Sequence, residues 1–185
     1  MGIYNVRPLR TNEEIKDMLW AIQKTSRRYK RDMFLFKLGI NTGLRVSDLV
    51  QLTVKDMSTQ RPRIQEKKRK KKRTLFLESI WEDVQEYVKG KKPEDYLFQS
   101  QKGDNKPLST VAVYQMLTKA AELLERDDVG THTMRKTFGY HYYKATKDIA
   151  SLMDIFNHSD QNETKKYIEI HEDDLAESMK GFRLG

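Results

Sequence analysis

The side chains best suited to chemistry in this sequence are arginines, histidines and a tyrosine, because the chain contains no cysteine. Arg45 follows a glycine-leucine pair, and His132 and Arg135 are three residues apart, so that one face of a helix can present both. His158 precedes Tyr167 by nine residues. Guanidinium groups bind phosphate oxygens in pairs, and a phenol, with a pKa of about 10, can serve as both nucleophile and leaving group. The set therefore predicts metal-free phosphoryl transfer at a phosphodiester.

Each of these residues taken alone has a simpler explanation. Arg45 could be a surface arginine, His158 could cap a helix, and Tyr167 could be a core aromatic whose hydroxyl reaches the surface. The prediction therefore depends on all of them occurring together in one order.

A basic segment lies between Arg45 and His132. Residues 61–73 hold nine basic residues and one acidic residue, so this segment alone accounts for the net charge of +8 of the whole chain. A concentrated positive element predicts contact with a polyanion at one place. A lysine here could protonate a departing oxygen, or the run could be a phosphate clamp that adds affinity only.

Helical periodicity accounts for most of the elements that must position these residues. Thr11 and Glu14 have the capping-box spacing, and Gly43 suits the end of a helix that carries Arg45 just beyond it. Short strands at 63–65 and 73–77 flank the lysine run and predict a β-hairpin with a basic tip. Predicted helices cover 12–26, 29–41, 45–54, 79–90, 109–126, 131–145, 148–156, 163–170 and 172–182.

These elements predict an α+β fold that is mainly α-helical, with a small antiparallel sheet that includes the basic hairpin. The length of 185 residues suits one domain over residues 1–185. No stretch approaches the roughly 20 apolar residues of a membrane span, so we expect a cytoplasmic protein without membrane contact.

The combined pattern resembles the catalytic domain of the tyrosine recombinase (phage integrase) family. The matching segments are Gly43-Leu44-Arg45, Ser47-Asp48-Leu49, the basic hairpin, His132-Thr133-Met134-Arg135, Asn157-His158-Ser159 and Tyr167. This resemblance implies a catalytic set of Arg45, Lys68, His132, Arg135, His158 and Tyr167.

Two positions depart from the pattern of that family. The hairpin often reads Lys-Thr-Gly-Lys, and alignment on the strand Arg73–Leu77 makes Lys68 the general acid, with Lys67 and Lys70 as alternatives because the turn glycine is missing. Asn157 stands where glycine is common, and asparagine tolerates a left-handed turn well. The remaining basic residues of the segment are expected to bind DNA: Lys67, Arg69, Lys70, Lys71, Lys72 and Arg73.

The resemblance also implies partners. We expect double-stranded DNA as substrate, no cofactor and no metal, and a protein that is a monomer alone and a tetramer on DNA. Only 44 residues precede Arg45, which leaves no room for the amino-terminal DNA-binding domain that family members usually carry. Residues 172–183 are expected either to dock on a neighbouring protomer or to pack on their own domain.

The implied function is site-specific DNA recombination, as in integration, excision or resolution by a mobile element, through a 3′-phosphotyrosyl intermediate. A nicking and rejoining activity like that of type IB topoisomerases requires the same residues without partner protomers. A DNA-binding module with a vestigial site, or a transcription factor that uses only the hairpin, is the alternative from another class.

Overall fold

Helices dominate the computed structural model, which describes residues 6–66, 72–170, 176 and 179–183. The predicted fold class, mainly helical with a small antiparallel sheet, is confirmed. The helices are α1 (Asn12–Thr25), α2 (Tyr29–Thr42), α3 (Val46–Leu49), α4 (Trp81–Val88), α5 (Thr110–Leu123), α6 (Thr133–Thr146), α7 (Ile149–Phe156) and α8 (Gln161–Tyr167). Short 3₁₀ turns lie at Lys55–Met57 and Glu78–Ile80.

The ends of the first two helices follow from local sequence. The Thr11 hydroxyl accepts a hydrogen bond from the Glu14 N–H, and the Glu14 carboxylate accepts one from the Thr11 N–H, which completes the predicted capping box of α1. Gly43 ends α2 in the left-handed conformation with φ 61°, as its type predicts. The chain is thereby turned so that Arg45 begins α3.

The sheet is a single antiparallel pair within the described residues. Strand β1 (Arg63–Gln65) pairs with β2 (Lys72–Thr74), and Ile64 lies opposite Arg73. The second strand was predicted to extend to Leu77, which is wrong: regular pairing ends at Thr74, although Leu75 and Leu77 still donate backbone hydrogen bonds to Pro62 and Gln60. The tip of the hairpin, residues 67–71, lies outside the described residues.

Two hydrophobic clusters of unequal size form the interior. The larger cluster lies among α1, α2 and α5 and reaches Met134 of α6. The smaller one is built on Leu152, Phe156 and Ile168, with aromatic side chains of α6 packed against it. Gly139 of α6 lets the helix approach this cluster, because a Cβ there would overlap Phe156 and Ile168. The smaller cluster supports the segment that ends at Tyr167.

No helix in the described part of the chain is long and apolar enough to cross a membrane. The predicted last helix, and with it the docking segment 172–183, falls largely outside the described residues, of which only 176 and 179–183 belong to it.

Candidate active site

Arg135 is the most deeply buried charged group of the site, with 2% of its surface exposed. It lies in the first turn of α6, three residues after His132, which is the residue before the helix begins. Its Nη1 donates to the Gly43 carbonyl, and its Nη2 donates to the Phe156 carbonyl at 2.9 Å. Burial lowers the pKa of Arg135 to about 10, so the guanidinium remains charged at neutral pH.

The ends of helices hold this arginine because their last carbonyls have no partner within the helix. Gly43 follows the last residue of α2, and Phe156 is the last residue of α7. Carbonyls at a helix carboxyl terminus carry partial negative charge, which favours a cation beside them. The two helix ends therefore hold Arg135 in place through their backbone carbonyls.

Arg45 lies beside Arg135 and shares one of its acceptors. The Arg45 Nη2 donates to the Phe156 carbonyl at 3.5 Å, and its Nη1 contacts Glu66 Oε2 at 3.3 Å. Both arginines thus meet at Phe156, the residue that ends α7. Two guanidinium groups placed side by side can bind the non-bridging oxygens of one phosphate.

Tyr167 is the last residue of α8, and its hydroxyl lies 2.9 Å from Nδ1 of His132. The Asp160 carboxylate caps the start of α8 by accepting from the backbone N–H groups of Asn162 and Glu163. Burial raises the pKa of the Tyr167 phenol, and the positive charges of Arg135 and Arg45 act in the opposite direction. The phenol is therefore protonated at neutral pH, and a base beside it is needed to make it a nucleophile.

His158 also contacts the Tyr167 ring, in an edge-to-face arrangement. The two ring centroids are 5.4 Å apart, and Nδ1 of His158 contacts the buried Thr164 hydroxyl at 3.0 Å. Asn157 places His158 there by adopting the left-handed conformation, with φ 53° and ψ 50°. The expectation that asparagine fills this turn in place of glycine is confirmed.

An open cavity of about 510 Å³ adjoins these groups. Its lining includes the arginines and His132 together with the first turn of α5: Arg45, Val46, Ser47, Thr110, Val111, Tyr114, Thr131, His132 and Arg135. A phosphate in this cavity would meet both guanidinium groups. Among the described residues, no cluster of histidine and acidic side chains is suited to hold a metal ion.

Comparison with known proteins identifies the family. Residues 10–173 match the sequence profile described as the Phage integrase family. The chain belongs to this family. It is 42% identical over 179 residues to the probable integrase/recombinase YoeC of Bacillus subtilis, a match that covers 96% of this chain and 97% of YoeC. It is 31% identical over 178 residues to a tyrosine recombinase of Pseudothermotoga lettingae, covering 91% of this chain and 61% of the relative.

Solved structures of phage integrase family proteins have the same fold. The catalytic domain of bacteriophage HP1 integrase matches with a TM-score of 0.65 at 23% identity, covering 95% of each chain. XerH recombinase in a post-cleavage complex with its difH substrate matches with a TM-score of 0.70 at 23% identity, covering 94% of this chain and 52% of XerH. The chain thus spans nearly all of YoeC and of the HP1 domain, but about half of XerH.

The predicted site residues of this phage integrase family member fall into two groups. Arg45, His132, Arg135, His158 and Tyr167 come together around Phe156 and the cavity. Within the basic segment, Lys72 is exposed on β2. The predicted general acid Lys68 lies outside the described residues, as do its predicted DNA-binding neighbours Lys67, Arg69, Lys70 and Lys71.

Arg73 is placed differently from the exposed DNA contact that its position in the basic segment predicts. Its side chain turns inward, donates from Nη2 to the Thr42 carbonyl and lies 3.8 Å from Glu66. Burial lowers the pKa of Arg73, and the nearby Glu66 carboxylate raises it. This position favours a supporting role, and the DNA contact of Arg73 stays a prediction.

Sequence reasoning missed Glu66 and the backbone carbonyls that hold the arginines. Glu66 is buried, with contacts to both Arg45 and Arg73. One signal was available, because Glu66 is the single acidic residue among the nine basic residues of 61–73. The carbonyl acceptors left no signal, since every residue type has one.

Proposed function

We propose that this chain cleaves and rejoins double-stranded DNA in site-specific recombination, with Tyr167 as the nucleophile that forms a 3′-phosphotyrosyl bond. The observation that carries the proposal is the 2.9 Å contact between Tyr167 Oη and His132 Nδ1, beside two arginines that share the Phe156 carbonyl. Several proteins of similar structure, XerH recombinase, the Tn1549 transposon integrase and lambda integrase, are in complexes with DNA, which supports DNA as the partner.

In the proposed reaction, Tyr167 Oη attacks the phosphorus and its proton passes to Nδ1 of His132. A P–O bond to tyrosine forms as the P–O bond to the DNA 5′-oxygen breaks. Arg45 and Arg135 stabilise the charge on the non-bridging oxygens, and His158 supplies a further hydrogen bond. Lys68, on the hairpin tip, gives a proton to the departing 5′-oxygen. Because the phosphotyrosyl bond preserves the phosphodiester, a 5′-hydroxyl can reverse the steps without ATP.

Assembly forms a second part of the proposal. We propose that residues 1–185 act as one catalytic unit, monomeric alone and tetrameric on DNA, with residues 172–183 docking on a neighbouring protomer. A chain ending before Glu172 is expected to bind DNA but to lose DNA-dependent oligomerisation in analytical ultracentrifugation. Unchanged oligomers would rule out the docking role.

A covalent adduct tests the catalytic proposal. The protein is incubated without magnesium with a panel of nicked suicide duplexes of varied sequence, and adducts are separated on a denaturing gel. The wild type is expected to form an adduct that Tyr167→Phe lacks. Tyr29→Phe, which alters an exposed tyrosine at the far end of α2, is the matched control and should keep it.

Two results would contradict the proposal. An adduct that persists in Tyr167→Phe would assign the nucleophile to another residue. DNA binding without any adduct across the panel would favour a DNA-binding module whose catalytic site is vestigial.

A further inference from the structure

Glu66 is a buried carboxylate at the base of the basic hairpin, with 3% of its surface exposed. Its two oxygens face two different arginines. Oε2 lies 3.3 Å from Nη1 of Arg45, and Oε1 lies 3.8 Å from Nη1 of Arg73. One carboxylate therefore bridges a guanidinium of the active site and a guanidinium of the hairpin.

The position of Glu66 needs an explanation, because burying a carboxylate is unfavourable unless its charge is paired. Residues 61–73 offer many cations, and an acid at the surface of this segment would be paired at little desolvation cost. Glu66 is turned inward instead, towards the arginine proposed to bind the scissile phosphate. Charge balance within the hairpin does not require this burial.

The second contact ties the hairpin to the body of the protein. Arg73 lies in β2 and donates to the Thr42 carbonyl at the end of α2, while Glu66 directly follows β1. The Glu66–Arg73 pair thus links the residue that follows β1 to β2, and the bond from Arg73 to Thr42 ties β2 to the end of α2. In sequence, Glu66 precedes Lys68, the proposed general acid, by two residues.

We infer that Glu66 is a positioning residue, which orients the Arg45 guanidinium for the phosphate and sets the base of the hairpin relative to it. This inference rests on the proposed function. If this is correct, loss of the Glu66 charge should raise the affinity for DNA and lower the rate of adduct formation. The negative charge of Glu66 weakens the attraction between the protein and the DNA phosphate. Its contact with Arg45 favours the orientation of the guanidinium in which the phosphate reacts.

The test separates charge from geometry with two variants. Glu66→Gln removes the charge but keeps the shape, and it is expected to slow single-turnover adduct formation by about tenfold while DNA affinity rises about threefold. Glu66→Asp keeps the charge but shortens the side chain, so adduct formation should slow while affinity stays unchanged. Affinity is measured by fluorescence anisotropy with the same nicked duplex.

A control variant removes the same charge from the flank of the hairpin. Glu78 is an exposed carboxylate paired with Arg61, and Glu78→Gln is expected to leave adduct rate and affinity within about twofold of the wild type. Thermal unfolding is followed for all variants. If Glu66→Gln does not fold at the assay temperature, Glu66→Asp decides by the split between rate and affinity.

The inference is overturned if both Glu66 variants form adduct at the wild-type rate, or if rate and affinity fall together with thermal stability, as a structural role requires. If the wild type forms no adduct at all, the proposed function fails first. In that case, an affinity of Glu66→Gln equal to that of the wild type would overturn the inference as well, because the inference requires the Glu66 charge to act close to the bound phosphate.

Discussion

Arg135 illustrates how a charged residue of this site can be held by backbone carbonyls. Its guanidinium donates to the Gly43 and Phe156 carbonyls, and Arg135 also lines the cavity together with Arg45 and His132. A planar group with five N–H donors can satisfy two carbonyls and still bind a phosphate. A lysine ammonium, with three donors on one atom, cannot reach both helix ends and the phosphate together.

Replacing this arginine by lysine tests that argument. Arg135→Lys is expected to slow single-turnover adduct formation by about 100-fold or more, because a positioned donor to the reacting phosphate is lost. The protein is mixed with the nicked duplex, the reaction is quenched at successive times, and the rate is obtained from the amount of adduct on a denaturing gel. Arg126→Lys is the matched control, since Arg126 pairs with Glu14 and Asp128 away from the cavity, and it should react at the wild-type rate. Equal rates for the two variants would contradict a phosphate contact by Arg135.

The types and order of the site residues were sufficient to predict which side chains meet. Family spacing identified Arg45, Arg135 and Tyr167, since each must be a particular residue type for the chemistry. Glu66 stands out in the sequence as the one acid of the basic segment, but the inward turn of Glu66 and of Arg73 could not be predicted, because both depend on which side of a short strand faces α2. A basic run gives no periodicity from which that side can be read.

Among the secondary-structure elements, the end of α7 has the greatest influence on the site. Asn157 is left-handed, the His158 N–H donates to the Met153 carbonyl, and the Asn157 N–H donates to Asp154. These bonds form a Schellman-type end. The same turn leaves the Phe156 carbonyl to the arginines and carries His158 towards Tyr167. The conformation of Asn157 therefore positions both the Phe156 carbonyl and the His158 side chain.

Substitutions at Asn157 test this turn. Asn157→Gly is expected to change the free energy of unfolding by only a few tenths of a kcal/mol, whereas Asn157→Ala should cost about 1 kcal/mol, because alanine tolerates φ 53° poorly. Asn157→Ala should also slow adduct formation as His158 and Phe156 shift.

The control is Lys147→Ala, at the left-handed end of α6 with φ 56°. It should lose similar stability, measured by urea unfolding, but keep the adduct rate. A loss of rate in proportion to stability at both positions would contradict a specific role for the α7 turn.

Helix boundaries were predictable where side chains encode them. Thr11 with Glu14 starts α1 and Gly43 ends α2 as expected. The extent of β2 was not, since a short strand is defined by its pairing partner, and β1 offers partners only as far as Arg63, opposite Thr74.

At the scale of the molecule, Tyr167, the proposed nucleophile, packs against the smaller of the two hydrophobic clusters formed by the described residues. α1, α2 and α5 share the larger cluster, while α7 and α8 pack mainly on each other and on α6 around Leu152, Phe156 and Ile168. A region with a small buried cluster opens at lower free energy than the main core. This division was not predictable from the sequence, because it depends on which helix faces meet, as where Phe156 packs against Gly139.

Amide hydrogen exchange measures this difference. Amides of α7 and α8 are expected to exchange faster than those of α2 and α5 in the free protein, and a nicked duplex should slow exchange in α8, because bound DNA stabilises the closed site. Exchange is followed by mass spectrometry of peptides. If, in the free protein, the amides of α8 exchange as slowly as those of α2, the division into unequal cores is contradicted.

If Tyr167 is the nucleophile, the DNA strand becomes attached to its phenolic oxygen, and the attachment site can be identified by mass spectrometry. The adduct is trimmed by nuclease, digested with trypsin and analysed by mass spectrometry. We expect a nucleotide joined through its 3′-phosphate to Tyr167, the first residue of the tryptic peptide that follows Lys166. A nucleotide found on any other residue, or joined to Tyr167 through a 5′-phosphate, would contradict this expectation.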